Sequence, residues 1–328
     1  MYSFTYENAF TWEEAKDFLK EGNAAVIAGG TDLITTMKGM CIPESAAPKV
    51  LVNIKDIDAA DLIRVDNGTL KIGALAKLSA IADSPEVNSG WKVLSEAASK
   101  TASPELRNMG TIGGNICQKP RCVYYRKEYN LYNCLRKKDG DPTCYAANGL
   151  NRYHSIFGAT GGCFAVCPSD LAPALLALKA KIITTVKPWE AQDFFYVGDR
   201  DDQINDIGFD EIVKEIEIPA LNGAKSTYRK FAFRKAIDFP LVSVAVVANV
   251  SGGDVSNASI VLGGVYNSPR RATGAEAFIN GKPLNDSNAA TAGEEGVKGH
   301  SADLAPQAKY KVQVAKALIK KALLDLLK

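Results

Sequence analysis

Apolar residues in this chain come in short runs separated by turn residues, and the spacing inside each run selects the element. Ala24-Ala-Val-Ile-Ala28 and Lys49-Val-Leu-Val-Asn-Ile54 are apolar stretches of strand length. Thr11 is placed to cap a helix running to Lys20. Glu13 and Glu14 fall in its first turn, where carboxylates complement the positive end of the helix dipole. The first strand runs into Gly29-Gly-Thr-Asp32 and a helical stretch from Leu33 to Met40, so residues 1–55 read as a compact βαβ-like unit.

From Asp56 the pattern changes. Asp61–Val65 and Thr69–Gly73 flank Asp66-Asn-Gly68, a hairpin signal because Asn-Gly accepts positive φ. Leu78–Ala82, Trp91–Lys100 and Leu171–Ala180 read as helices. Lys181–Val186 reads as a strand, and Asp210–Pro219 ends in another. Beyond a boundary at Leu221–Gly223, three strands are expected: Tyr228–Arg234, Val242–Val250 and Ala258–Gly263. The chain ends in a helix from about Pro306, in which Tyr310, Val314, Leu318 and Ala322 recur at helical spacing with lysines opposite. Packing on the C-terminal sheet accounts for that stripe better than a membrane surface. The expected fold is α+β: an α/β domain over 1–222, with parts 1–55 and 56–222, then a smaller domain over 223–328 with a three-stranded antiparallel sheet and helices.

With 328 residues the chain is long enough for two domains, and its net charge of +2 gives no global pull toward nucleic acid or anionic lipid. The longest apolar runs, Leu171–Ala180 and Leu241–Val250, are too short to span a bilayer. Met1-Tyr-Ser-Phe-Thr-Tyr-Glu lacks the features of a secretory signal, and seven cysteines cannot all pair within one chain. The expected compartment is the cytoplasm.

Two glycine runs carry candidate chemistry. Val26-Ile-Ala-Gly-Gly-Thr-Asp-Leu33 and Gly110-Thr-Ile-Gly-Gly-Asn115 each offer a tight backbone turn with a hydroxyl nearby. Backbone without Cβ atoms lets an anion approach its N–H groups. Two such loops suit a pyrophosphate gripped from both sides, and a β-carbon at Gly113 is expected to block that approach. Neither loop has the Rossmann spacing, and no Walker lysine follows, so a different nucleotide-binding fold is implied.

Ala28–Leu33, Arg107–Asn115, Pro168-Ser-Asp170 and Phe239-Pro-Leu-Val-Ser-Val-Ala245 occur in this order. The set resembles the FAD-binding medium subunit of the molybdenum hydroxylases, the xanthine dehydrogenase and carbon monoxide dehydrogenase family, over essentially the whole chain. The resemblance implies a non-Rossmann FAD domain of the PCMH type. It assigns FAD contacts to Ile27, Ala28, Gly29, Gly30, Thr31, Asp32, Leu33, Thr111, Gly113, Gly114 and Asn115, and more loosely to Thr101 and Gln118. Asp170 falls near the adenosine half, and Val213 at a position where an aliphatic residue packs near the cofactor. Some relatives carry a lysine near the flavin where this chain has Ala232; Arg234 is the local substitute.

Roughly fifty residues separate the Gly-Gly-Asn loop from Pro168, and they hold Cys122, Cys134, Cys144 and Cys163 with eleven, nine and eighteen residues between them. No zinc-ribbon pattern fits; a loop folded around a cubane does. The insertion is similar to that of the 4-hydroxybenzoyl-CoA reductase β subunit and the medium subunit of bacterial aldehyde oxidoreductases, which implies a [4Fe–4S] cluster in a loop at about 117–167. Cys163 is preferred over Cys167 as the fourth ligand, Cys117 is extra, and Cys41 is an ordinary buried thiol. His154 is expected to be a hydrogen-bonding residue of the loop. Lys119, Arg121, Arg126, Lys127, Arg136, Lys137 and Lys138, interleaved with Tyr124, Tyr125, Tyr129 and Tyr132, form a basic patch. Its expected roles are to stabilise a reduced, anionic cluster and to steer an acidic carrier such as ferredoxin; single-stranded nucleic acid is a weaker fit.

The resemblance implies an electron-transfer subunit with no catalytic side chain of its own. Its partners would be a large subunit with the molybdopterin cofactor and a small subunit with two [2Fe–2S] clusters, in an (αβγ)2 heterohexamer. Two rivals remain at this level: an autonomous FAD-dependent oxidase, and a zinc-stabilised nucleotide-binding interaction module.

Overall fold

The computed structural model describes residues 1–137, 142–196, 207–208, 210–300, 303 and 305–328. Three sheets organise them. The first is parallel, in the order β1 (Thr5–Asn8), β3 (Val50–Asn53), β2 (Ala24–Ile27), with the helix Trp12–Lys20 as crossover. Thr11 caps that helix by accepting from Glu14 N–H. β1 was not legible because its sequence, Thr-Tyr-Glu-Asn, is polar and mostly exposed.

The second sheet is antiparallel, in the order β4 (Ile63–Asp66), β5 (Thr69–Gly73), β8 (Val213–Ile218), β6 (Lys181–Thr184), β7 (Pro188–Glu190). Leu70, Ile72, Ile182, Ile216 and Ile218 are fully buried and share a core with the helices Lys92–Ser99 and Leu171–Ala177; every residue of the latter is buried.

The third sheet has four strands, not the three expected: β9 (Lys225–Phe231), β10 (Val242–Ser251), β11 (Asp254–Gly263) and the two-residue edge β12 (Arg270–Arg271). A two-residue strand leaves no periodicity to read. β10 alternates between two cores. Val242, Val244, Val246 and Ala248 face the C-terminal helices, while Ala245 and Val247 join the core of the second sheet. The last helix, Tyr310–Asp325, buries Ala315, Leu318, Ile319, Ala322 and Leu323, and also Lys311. Leu318 and Ala322 of the expected stripe are buried and Val314 packs partly against the same core; at the start of the helix Lys311 is buried instead of Tyr310, its ammonium finding three carbonyl acceptors inside, Tyr153, His154 and Gly264 at 2.9–3.0 Å. Among the described residues no helix is long and apolar enough to cross a membrane.

Candidate cofactor site

The two glycine loops lie against each other. A β-carbon on Gly29 would stand 2.1 Å from the Met109 carbonyl oxygen, so only glycine permits the contact. Gly30 has φ +69°, where a side chain is disfavoured. The second loop opens the helix Ile112–Cys117, and Thr111 Oγ1 accepts from Gly114 N–H at 3.2 Å. Gly113 packs closely on the end of β5. Its N–H donates to Ala74 O at 2.9 Å, and a β-carbon there would meet Ala74 Cβ and O at 3.0 Å. Glycine at 113 seats the helix on the end of β5. Gly114 is the exposed member of the pair.

Around this core the other sequence-assigned residues fall at different depths. Asn115 Oδ1 accepts from Ser169 Oγ at 2.5 Å, and Gln118 Nε2 donates to Asn115 O at 3.1 Å. Val213 is buried in β8; the next carbonyl, Lys214 O, accepts from Ala74 N–H, so Val213 lies behind the second glycine loop. Thr101 is buried, with Oγ1 donating to Ala97 O and its carbonyl accepting from Arg107 Nη1. Asp170 is deeply buried. It is 2% exposed, its Oδ1 accepts from Tyr228 OH at 2.5 Å and its Oδ2 from Lys230 Nζ at 2.8 Å. Burial pushes its pKa up, opposed chiefly by the Lys230 charge. Both oxygens are engaged inside the protein, where they fasten the helix Leu171–Ala177 to β9.

Asp32, closing the first glycine loop, is held by the cysteine segment. Its Oδ2 accepts from Lys119 N–H at 3.2 Å and from Arg126 Nη2 at 3.1 Å. Its Oδ1 lies 2.8 Å from Arg121 Nη2 and 3.0 Å from Arg126 Nη2, as charge contacts rather than directed hydrogen bonds. Arg126 also binds Thr36 Oγ1 and the carbonyls of Lys119 and Pro120, and its own carbonyl accepts from Cys41 Sγ.

The thiols of Cys122, Cys134, Cys144 and Cys163 are unbridged and line one cavity together with Arg136 and His154. Cys167 does not; it packs in the core of the second sheet. The Tyr124 and Tyr125 amides donate to the Cys122 sulfur, and the Arg136 amide to that of Cys134. Arg136 Nε is 3.1 Å from Cys163 Sγ, and His154 Nε2 is 3.3 Å from Cys122 Sγ. Burial pushes the Cys122 thiol up to about 11 and also raises Cys134. Burial pulls His154 down to about 4, with Lys311 adding to the effect. Lys137 Nζ is buried without a hydrogen-bond partner. The cavity is small, about 20 Å³, and among the described residues no three Cys, His, Asp or Glu side chains converge as ligands of one metal ion.

Part of the basic patch therefore turns inward, while Lys119 and Lys127 remain exposed. Arg121 and Arg126 pair with Asp32, Arg136 faces Cys163, and Lys137 is buried; Lys138 lies outside the described residues. Nothing in the segment's own pattern identifies Asp32 as the partner of Arg121 and Arg126. Directly beside the cysteine cavity, and sharing Cys122, His154 and Ala165 with it, is a pocket of about 410 Å³ walled by Arg121, Phe233, Arg234 and Phe239. Arg121 stacks over Phe239 with 4.5 Å to the ring centroid, which connects this pocket to the first glycine loop through Asp32.

A parallel three-stranded unit, an antiparallel unit with abutting glycine loops, and a helix-backed C-terminal sheet define a flavoprotein subunit fold. Residues 2–221 match the family described as FAD binding domain in molybdopterin dehydrogenase, and residues 226–326 match the CO dehydrogenase flavoprotein C-terminal domain. The chain belongs to the FAD-binding medium subunits of the molybdenum hydroxylase family. It is 31% identical to the aldehyde oxidoreductase FAD-binding subunit PaoB of Escherichia coli K12, over 85% of this chain and 87% of that one. It is 27% identical to the carbon monoxide dehydrogenase medium chain of Hydrogenophaga pseudoflava, over 92% and 88%. The solved carbon monoxide dehydrogenase from Hydrogenophaga pseudoflava lacking the Mo-pyranopterin moiety superposes with a TM-score of 0.75 at 25% identity, covering 99% of this chain and 98% of that one.

Proposed function

We propose that this FAD-binding subunit also carries a [4Fe–4S] cluster, and that it passes electrons between partner subunits and an external carrier. The observation that carries the reading is the convergence of Cys122, Cys134, Cys144 and Cys163 on one cavity that shares a wall with the neighbouring pocket.

The residues present suit both groups. Ile27–Leu33 and Thr111–Asn115, with Gln118, would hold the dinucleotide at the abutting loops, and Thr101 and Val213 would support that cradle from behind. Asp170 would act indirectly, through the packing of the helix it begins. When bound, the flavin supplies exchange of one or two electrons, while the chain supplies binding, orientation and charge. At the cysteine cavity a single zinc ion would draw four sulfurs to within about 4 Å of one another, given Zn–S bonds near 2.3 Å. The four thiols come from separate points on the wall of one cavity, the arrangement that a cubane ligated at four corners would use. N–H donors at Cys122, Cys134 and Cys163 and the unpartnered Lys137 ammonium suit an anionic centre. A bound metal would displace the thiol protons of Cys122 and Cys134, whose pKa burial raises. The loop must widen around any cluster it takes up.

The substrate chemistry would reside on a large molybdenum subunit, reached through the two [2Fe–2S] clusters of a small subunit, in an (αβγ)2 assembly. The [4Fe–4S] centre would connect the flavin to an acidic carrier of the ferredoxin kind. The two domains would divide near residue 222. Substituting Cys134→Ser or Cys144→Ser should lower bound iron and acid-labile sulfide while leaving FAD in place; full retention of iron in both variants contradicts the ligand set.

A further inference from the structure

His154 stands between the cysteine cavity and the neighbouring pocket. Its ring, 3% exposed, is a wall of both the cysteine cavity and the 410 Å³ pocket. Its Nε2 lies 3.3 Å from Cys122 Sγ, and its Nδ1 is buried without a hydrogen-bond partner. The backbone around it is fixed. His154 N–H donates to Asn151 O at 2.9 Å, and Lys311 Nζ donates to the His154 carbonyl at 2.9 Å and to the carbonyls of Tyr153 and Gly264. A metal-bound thiolate only accepts hydrogen bonds, so the ring nitrogen facing Cys122 must carry the hydrogen.

We propose that His154 is a positioning residue for the cluster, donating from Nε2 to the Cys122 thiolate on the side nearest the apolar pocket and thereby raising the cluster's reduction potential. The inference rests on the cluster reading of the four cysteines. The physical reason is electrostatic: a donor at sulfur offsets negative charge, and the reduced cluster, one electron richer, gains most from it. Arg136 Nε provides a similar donor at Cys163. His154 differs in lining the pocket as well, so it tunes the corner of the cluster that faces that pocket.

The test uses the whole complex labelled with nitrogen-15 histidine. Pulsed EPR of the reduced [4Fe–4S] centre should show a nitrogen-15 coupling that His154→Gln abolishes. The chain has only one other histidine, His300, which packs on Phe157 at 4.0 Å between ring centroids. His154→Leu should lower the ratio of reduced to oxidised cluster at a fixed potential about tenfold, which is about 59 mV for one electron. His154→Gln retains an N–H donor and should recover most of that shift. Absence of the coupling in the wild-type complex overturns the inference, as does an unchanged midpoint in a His154→Leu complex that keeps its cluster. Should that variant lose its cluster, the labelled wild type decides alone. A wild-type complex without any [4Fe–4S] signal fails at the earlier step and overturns the cluster reading itself.

Discussion

Arg126 donates from Nη2 to Asp32 Oδ2 at 3.1 Å, joining the inserted cysteine segment to the first glycine loop across 94 residues of sequence. The pair is half of a clamp in which Arg121 touches the other carboxylate oxygen. Both arginines and the aspartate are largely shielded from solvent, so the interaction is stronger than a surface ion pair and its loss leaves charge stranded. The clamp makes the two candidate cofactor sites neighbours in structure and not merely in sequence.

Replacing Arg126 with Leu should therefore affect both sites at once. The expected cost is about 3 kcal/mol, since removal of one partner leaves the Asp32 carboxylate and the Thr36 hydroxyl under-satisfied. Flavin and iron content of the purified variant should fall together. Loss of one without the other would show that the clamp does not couple the sites.

Gly29→Ala tests the contact between the loops. Its new methyl would meet the Met109 carbonyl at 2.1 Å, a clash with backbone that rotamer changes cannot relieve. The expected result is weakened FAD retention and a loss of about 1–3 kcal/mol. Gly90→Ala is the control, because nothing lies within 4 Å of its β-carbon position; flavin content should be unchanged. Gly113→Ala should cost stability through Ala74.

The buried Asp170–Lys230 pair gives a third expectation. Lys230→Met strands a carboxylate that is 2% exposed, and should cost about 3–5 kcal/mol in denaturant unfolding. Adding Asp170→Asn to that variant should recover part of the loss, as a coupled pair requires. Strict additivity of the two substitutions would contradict the pairing.

Much of this architecture is legible in the sequence. The helix capped by Thr11, the Asn67-Gly68 hairpin and the long β10–β11 hairpin follow from short-range rules, and the structure contains each of them. Both glycine loops could be located because two Gly-Gly runs, each near a threonine, recur in one chain. What was illegible depends on distant partners. Nothing local to Asp170 announces that Tyr228 and Lys230 will reach it from β9. Lys311 looks like one more surface lysine until three carbonyls surround it. Arg121, Arg126 and Arg136 look like members of a surface patch until Asp32 and Cys163 claim them. No local pattern encodes any of these pairings.

Lys311 also makes stability depend on pH. Burial pulls its pKa down to about 7, while an unfolded lysine titrates near 10.4. Between those values the unfolded chain binds a proton that the folded chain has released, so this group's contribution to stability rises with pH. Relative to Lys311→Met, the wild type should gain at most about 1.4 kcal/mol per pH unit above pH ~7. Unfolding curves at pH ~7 and ~9 compare the two proteins. A difference that is flat or falls with pH contradicts the assignment.

The most direct test is the metal, sulfide and flavin stoichiometry of the complex purified under strict exclusion of oxygen, read on this chain after its separation from other subunits. The account predicts one FAD together with about four iron and about four acid-labile sulfide per chain. A folded chain that retains FAD but holds neither iron nor sulfide, or that holds a single zinc in their place, would contradict it.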